Sequence, residues 1–166
     1  MTEIVIIPLR PSDEVIDQLS DLLVETVTHG GSVSFMDPLS PDRAAEFWRA
    51  SLAAAERGER VVFGAWDVDR LVGTLTLLTS LPENQPHRAE IAKMIVCVSY
   101  RGRGVASALL RAAETEARVQ GRTHLMLDTA SDGGAAALYE RRGFVFAGEI
   151  SDFALKPQGG LTGTRL

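Results

Sequence analysis

The chain has 166 residues, 45% of them hydrophobic, with 17 Lys and Arg against 22 Asp and Glu, a formal net charge of −5 at pH 7. This length and apolar content suit one globular domain over residues 1–166. The acidic balance excludes general binding to nucleic acid or to an anionic membrane, both of which need a positive field, and the single cysteine, Cys97, excludes an intramolecular disulfide and fits a reducing cytoplasm.

The first apolar run, Ile4-Val5-Ile6-Ile7, is too short for a signal sequence core or a membrane span and reads as a strand over residues 4–8. Ser12, with Asp13 and Glu14 behind it, caps a helix whose apolar stripe is Val15, Ile16, Leu19, Leu22 and Leu23. A flexible stretch, Thr28-His29-Gly30-Gly31-Ser32, follows. Ser40-Pro41-Asp42 then supplies an N-cap, a proline at the first helical position and an acid in the first turn, so a second helix runs from Pro41 to Arg57 and Gly58 ends it.

Arg60 to Trp66 and Leu71 to Thr79 are β-rich runs joined by the turn Asp67–Arg70, which together read as a hairpin. A polar loop, Pro82–Arg88, delivers the chain into a strand from Ala89 to Val98. Both faces of that strand are largely apolar, as in the middle of a sheet covered on both sides. The next helix buries Ala106, Leu109, Leu110, Ala113 and Ala117, Gly121 closes it, and a strand from Thr123 to Thr129 completes a βαβ unit. Gly133–Arg142 reads as a short helix, Phe144–Ile150 as a strand and Lys156–Gly160 as a loop before a short β-prone tail. The resulting order, β-α-α-β-β-β-α-β-α-β-β, is that of a single-domain α/β protein with a mixed sheet.

The richest segment chemically is Arg101-Gly102-Arg103-Gly104-Val105-Ala106-Ser107, where an apolar strand turns directly into an amphipathic helix. The first amides of a helix have no intrahelical partner, and with the positive end of the dipole they suit a pyrophosphate. Gly102 and Gly104 let the main chain approach closely, and Arg101 and Arg103 add charge-assisted hydrogen bonds.

Arg101-Gly102-Arg103-Gly104-Val105-Ala106 resembles the Arg/Gln-x-x-Gly-x-Gly/Ala loop of the Gcn5-related N-acetyltransferase (GNAT) superfamily. Ala135-x-x-Leu138-Tyr139-x-x-x-Gly143-Phe144 resembles its second signature. Gly30–Phe35, Asn84–Glu90 and Leu127-Asp128-Thr129 resemble the branch that includes the tabtoxin-resistance acetyltransferase. The resemblance implies a GNAT-type fold and acetyl-CoA as co-substrate. Its pyrophosphate would lie on the amides from Gly102 to Ser107, and its pantetheine arm would pair with the main chain of Met94, Ile95 and Val96. It further implies direct transfer to a primary amine of a small molecule, as in antibiotic or toxin detoxification; the alternatives are a protein N-terminal or lysine acetyltransferase and a non-catalytic acyl-CoA-binding module.

Within that pattern Glu90 is the expected general base, or else a strand-edge charge paired with Arg88 or Lys93, and Tyr139 is the expected acid for the departing thiolate, or else a core aromatic. Ala135 and Asp132 fall at cofactor positions. Asp132 stands where the superfamily commonly has Asn, and an ionised carboxylate cannot donate to the pantetheine carbonyls. His29, Phe35, Asn84 and His87 are expected at the acceptor, with Glu25, Asp37 and Trp48 as further lining residues. The three histidines show no metal-ligand spacing, so no metal is expected. The short tail leaves its last strand either clipped or completed by a partner chain, as in a homodimer. A rival dinucleotide reading of Gly102-x-Gly104, with Asp128 as the ribose acid, lacks its third glycine, since Ser107 stands there.

Overall fold

The computed structural model describes residues 2–166. Alternating apolar residues and tight turns build an antiparallel meander from β1 (Val5–Pro8), β2 (Arg60–Asp67), β3 (Arg70–Leu78) and β4 (Arg88–Val96). A fifth strand, β5 (His124–Met126), joins β4 in parallel, giving the order β1-β2-β3-β4-β5. A second sheet carries the remainder in the order β6-β8-β7, from β6 (Thr129–Ala130), β7 (Glu149–Leu155) and β8 (Leu161–Arg165).

Two helices, α1 (Asp13–Thr28) and α2 (Pro41–Glu56), lie between β1 and β2 in sequence. Ser12 and Ser40 cap them, accepting from the Val15 and Arg43 amides at 3.1 and 3.2 Å. They pack on each other and bury Leu19, Leu23, Trp48 and Leu52. The third, α3 (Val105–Val119), lies across β2, β3 and β4. Seven consecutive residues of β3 are buried, on both of its faces, as befits a strand with helices over each side of the sheet. Among the described residues no helix is long and apolar enough to cross a membrane.

The mixed α/β architecture follows the expected element order, with local corrections. Strand Ala89–Val98 ends at Val96, because Cys97 leads into a 3-10 turn, Val98–Tyr100. The strand expected over Thr123–Thr129 is two: β5 stops at Met126 and β6 belongs to the other sheet. The helix expected over Gly133–Arg142 is α4 (Ala136–Arg141), since Gly133 and Gly134 do not propagate it. Phe144 belongs to the cap of α4 and begins no strand: Gly143 takes φ +92°, the Phe144 amide donates to the Tyr139 carbonyl at 3.0 Å, and β7 starts only at Glu149. The dinucleotide reading is excluded by topology, as the sheet is antiparallel except at β4–β5.

Gly73 on β3 sets the seating of α3. A Cβ there would meet Val105 Cγ1 at 3.0 Å, the Ile95 carbonyl oxygen at 3.1 Å and Leu109 Cδ1 at 3.3 Å. Gly73→Ala is therefore expected to cost about 1–3 kcal/mol by overpacking and to lower Tm by roughly 2–10 °C. Calorimetry checks this, and an unchanged Tm would mean that α3 does not depend on that close approach.

Candidate active site

The site begins where β4 and β5 part. Their parallel register covers only Arg88 with His124, Ala89 with Leu125 and Glu90 with Met126. Beyond it, β5 runs through Leu127 and Asp128 into β6 of the second sheet, so β4 from Ile91 to Val96 has a strand partner on its β3 side alone. A bulge lies on the same stretch: β4 places Lys93 and Met94 opposite the single residue Leu75, and Lys93 takes φ +51°. Met94, Ile95 and Val96 thus offer main chain to an extended ligand.

The slot ends at the N-terminus of α3. Gly104 is its N-cap at φ +80° and gives no side-chain cap, leaving the first-turn amides of Val105, Ala106 and Ser107 for another acceptor. Gly102 takes φ +76°, and a Cβ added at Gly102 or Gly104 would meet no atom within 4 Å. The space over both glycines is open, Arg101 and Arg103 are exposed beside it, and an anionic phosphate group fits these donors. Tyr100 holds the loop: its ring lies between the guanidinium groups of Arg103 at 4.8 Å and Arg70 at 5.3 Å, and its hydroxyl donates to Asp67 at 2.5 Å.

Tyr139 lies on α4, half-buried and edge-to-face with Phe144 at 5.9 Å. Burial, helped by the negative charge of Asp128, pushes its phenol up to about 12, so it stays protonated at neutral pH as a proton donor must. Ala135 is the half-buried N-cap of α4. Asp132 is engaged elsewhere: Lys156 reaches it at 3.2 Å and the Thr162 hydroxyl donates to it at 3.0 Å, holding its carboxyl below the usual range and tying it to the β7–β8 hairpin.

Glu90 faces Arg88, with Oε1 2.9 Å from the guanidinium. Gln85 and Met126 also hold Arg88, so the loop before β4 is fixed on the acid side of the slot. Of the residues expected at the acceptor, Phe35 lies in the α1–α2 loop, edge-to-face with Phe47 at 5.2 Å. His29 bonds back to its own helix at the Glu25 carbonyl, 2.8 Å from Nδ1. Asn84 and His87 are exposed, and the His87 carbonyl accepts from the amides of Thr123 and His124. Trp48 is fully buried in the core, and Glu25 accepts from the Val98 amide at 3.3 Å.

Two charged residues at the slot have no role in the sequence reading of an acyl-transfer site. Lys93 projects from the bulge to donate to Ser34 Oγ at 3.1 Å, with its ammonium 5.8 Å from the Phe47 ring. Asp128, at the parting of β5 and β6, accepts from the Thr164 hydroxyl at 2.8 Å and acts electrostatically on both Lys93 and Tyr139. Lys93 shares its strand with Arg88 and Glu90, so its charge alone does not single it out. The turn of the β7–β8 hairpin closes the far end: the Pro157 carbonyl accepts from the Asp37 amide at 2.9 Å and the Gln158 side chain donates to the Val27 carbonyl at 3.1 Å. A cavity of about 790 Å3 lies elsewhere, between α3, β5 and the end of β8; it touches Tyr139 but none of Met94–Val96 or Arg101–Ser107. Volume alone therefore does not locate the slot. Among the described residues no group of His, Cys, Asp and Glu could hold a metal ion.

The sequence profile of the acetyltransferase (GNAT) family matches residues 18–144. N-alpha-acetyltransferase 30 of Schizosaccharomyces pombe is 32% identical over 83 residues, which are 49% of this chain and 55% of that protein; the chain thus spans about half the length of this relative. Among solved structures, the ribosomal-protein-alanine N-acetyltransferase of Brucella melitensis superposes with a TM-score of 0.81 at 20% identity, covering 96% of each chain. An acetyltransferase structure from Salmonella typhimurium with its cofactor acetyl-CoA has a TM-score of 0.74 at 18% identity, covering 98% of this chain and 92% of the other. At such identities the two structures establish the fold.

The chain's two tyrosines give an optical test of the electrostatics. The bond to Asp67 raises the Tyr100 phenol, and burial raises that of Tyr139 to about 12. At pH 10, where a free phenol is about half ionised, the folded protein should show less than about half the phenolate absorbance of the same chain in denaturant. Equal absorbance in both states would contradict the placement of both phenols.

Proposed function

The chain belongs to the acetyltransferase (GNAT) family, and from that premise we propose that it moves the acetyl group of acetyl-CoA to a primary amine of a small molecule, by direct transfer within a ternary complex. The observation that carries the reading is the slot between β4 and β5 leading onto the uncapped N-terminus of α3. The amides of Val105–Ser107, with Arg101 and Arg103, hold the pyrophosphate, while Met94, Ile95 and Val96 pair with the pantetheine arm as an added strand would. When bound, acetyl-CoA supplies a thioester, whose carbonyl a main-chain N–H near Val96 is placed to polarise.

The acceptor nitrogen must be neutral to attack, so a base must take a proton from the ammonium. Glu90, at the start of the same strand, is that base, acting directly or through water. Its ion pair with Arg88 fixes the carboxylate. A second reading gives the base role to Asp128, which the structure favours in one respect: its charge acts on Tyr139 itself. Tyr139 then protonates the leaving thiolate, and its raised pKa keeps that proton in place throughout the neutral range.

A small acceptor is supported by the hairpin turn laid over the α1–α2 loop, which closes the end of the cleft through Pro157 and Gln158. The resemblance to the tabtoxin-resistance branch points the same way. The 32% identity to an N-alpha-acetyltransferase supports a competing reading in which the acceptor is a protein N-terminus. Thiol release from acetyl-CoA, measured with small amines and with N-terminal peptides side by side, decides between them; turnover on peptides alone would reject the small-molecule reading.

Tyr139→Phe is expected to lower kcat roughly ten- to a thousandfold with little change in acetyl-CoA affinity. Unchanged turnover would reject Tyr139 as the acid. The base is settled by comparing Glu90→Gln with Asp128→Asn, the true base showing the larger fall in kcat and the loss of the acidic limb of its pH profile. Gly104→Val, which puts a branched side chain at φ +80° and into the open space above the loop, should abolish acetyl-CoA binding by calorimetry, whereas normal affinity would discard the cradle.

A further inference from the structure

Lys93 and Arg60 are two half-buried cations on the acceptor side of the slot, and among the described residues neither has a carboxylate within 4.0 Å. Lys93 has only the Ser34 hydroxyl, at 3.1 Å, and the face of Phe47. Arg60 has the Ser51 hydroxyl at 3.3 Å, and its Nε is buried with no hydrogen-bond partner. Phe47 and Ser51 are four residues apart on α2, hence neighbours on one face of that helix, so these contacts bring both cations to the same side of the cleft.

The two charges also sense each other. Burial lowers the Lys93 ammonium first, Asp128 works against that, and Arg60 adds to it. A half-buried cation without a counter-ion is costly, and a pair costs more. In a chain of net charge −5, with many carboxylates available, neither is closed into an ion pair among the described residues: Asp128 acts on Lys93, and Glu59 on Arg60, only from beyond 4.0 Å. Lys93 sits immediately before Met94, where the proposed pantetheine-pairing segment begins, and Arg60 opens β2, on the other side of β3.

We propose that Lys93, backed by Arg60, receives a carboxylate of the acceptor, so that the amine acetylated here belongs to an amino acid or a like zwitterion. This rests on the cleft being an acetyl-transfer site, and it narrows the substrate class of that site. Lys93 sets specificity by binding the acceptor's anionic end and takes no proton in the transfer. Its origin in the bulge aims the ammonium across the slot toward Ser34 and Phe47, away from the sheet hydrogen bonds.

The test uses matched acceptors. Thiol release from acetyl-CoA is measured with free L-amino acids, with their carboxamides and with the corresponding decarboxylated amines. In parallel, calorimetry measures binding of N-acetyl-L-amino acids and their carboxamides to the CoA-saturated protein, which reads recognition without turnover. The carboxylate form is expected to be favoured by about tenfold or more in kcat/KM, the scale of one charge-assisted hydrogen bond. In Lys93→Met that ratio should fall toward one, chiefly through KM; methionine is unbranched and suits φ +51° no worse than lysine. Arg60→Gln should reduce the ratio in part, and it carries the test if Lys93→Met does not fold.

Equal handling of acids and amides by the parent protein, or a preference that survives in a folded Lys93→Met, overturns the proposal. So does mass-spectrometric detection of acetyl on Lys93 itself, which would make it an acceptor. Turnover of neutral amines without acid preference defeats this inference alone and leaves the transfer reaction standing. Selective binding of N-acetyl amino acids without thiol release from any amine does the reverse.

Discussion

Backbone polarity is the constraint on which the site depends. A strand inside a sheet has N–H and C=O groups on both edges, and those groups must find partners when water is excluded. β4 meets that requirement along its β3 side except at the bulge of Lys93 and Met94, but for only three residues on the β5 side. From Ile91 to Val96 one edge is left for a ligand that can itself behave as a strand. A chain of amides such as the pantetheine arm meets that description, and β5 leaves that edge free because it parts from β4 after Met126.

Everything around the slot serves to hold that edge and its terminus in place. Gly73 lets α3 approach β3 closely, which brings the open N-terminus of the helix to the end of β4. Tyr100, clasped between Arg70 and Arg103 and anchored on Asp67, fixes the turn that precedes the helix. The β7–β8 hairpin lends Lys156 and Thr162 to Asp132 and lays Pro157 and Gln158 against the opposite wall. On the proposed function the charged groups divide by role: arginines toward the phosphates, Glu90, Asp128 and Tyr139 for proton transfer, and the cations Lys93 and Arg60 for the acceptor.

Much of this was legible in the residues. Ser12 and Ser40 announce both N-terminal helices through their caps, the apolar stripe from Ala106 to Ala117 marks α3, and the glycines of the Arg101–Ser107 loop mark its uncapped N-terminus because that chemistry is local. What could not be read depends on contacts distant in sequence. Thr123–Thr129 has one continuous β-prone pattern, yet three-dimensional pairing splits it between two sheets. Phe144 has strand propensity and is spent instead on closing α4 against Tyr139. The bulge at Lys93 has no glycine or proline to signal it, and so the residue it turns into the cleft passes for an ordinary strand-edge charge.

Amide hydrogen exchange, followed residue by residue with and without acetyl-CoA, tests the central claim most directly. Ligand should protect Met94–Val96 and Val105–Ser107 together, while β1 and β2 stay unchanged. Protection confined to the large cavity between α3, β5 and the end of β8, or none at either segment despite measurable binding, would contradict the assignment of the open β4 edge as the cofactor slot.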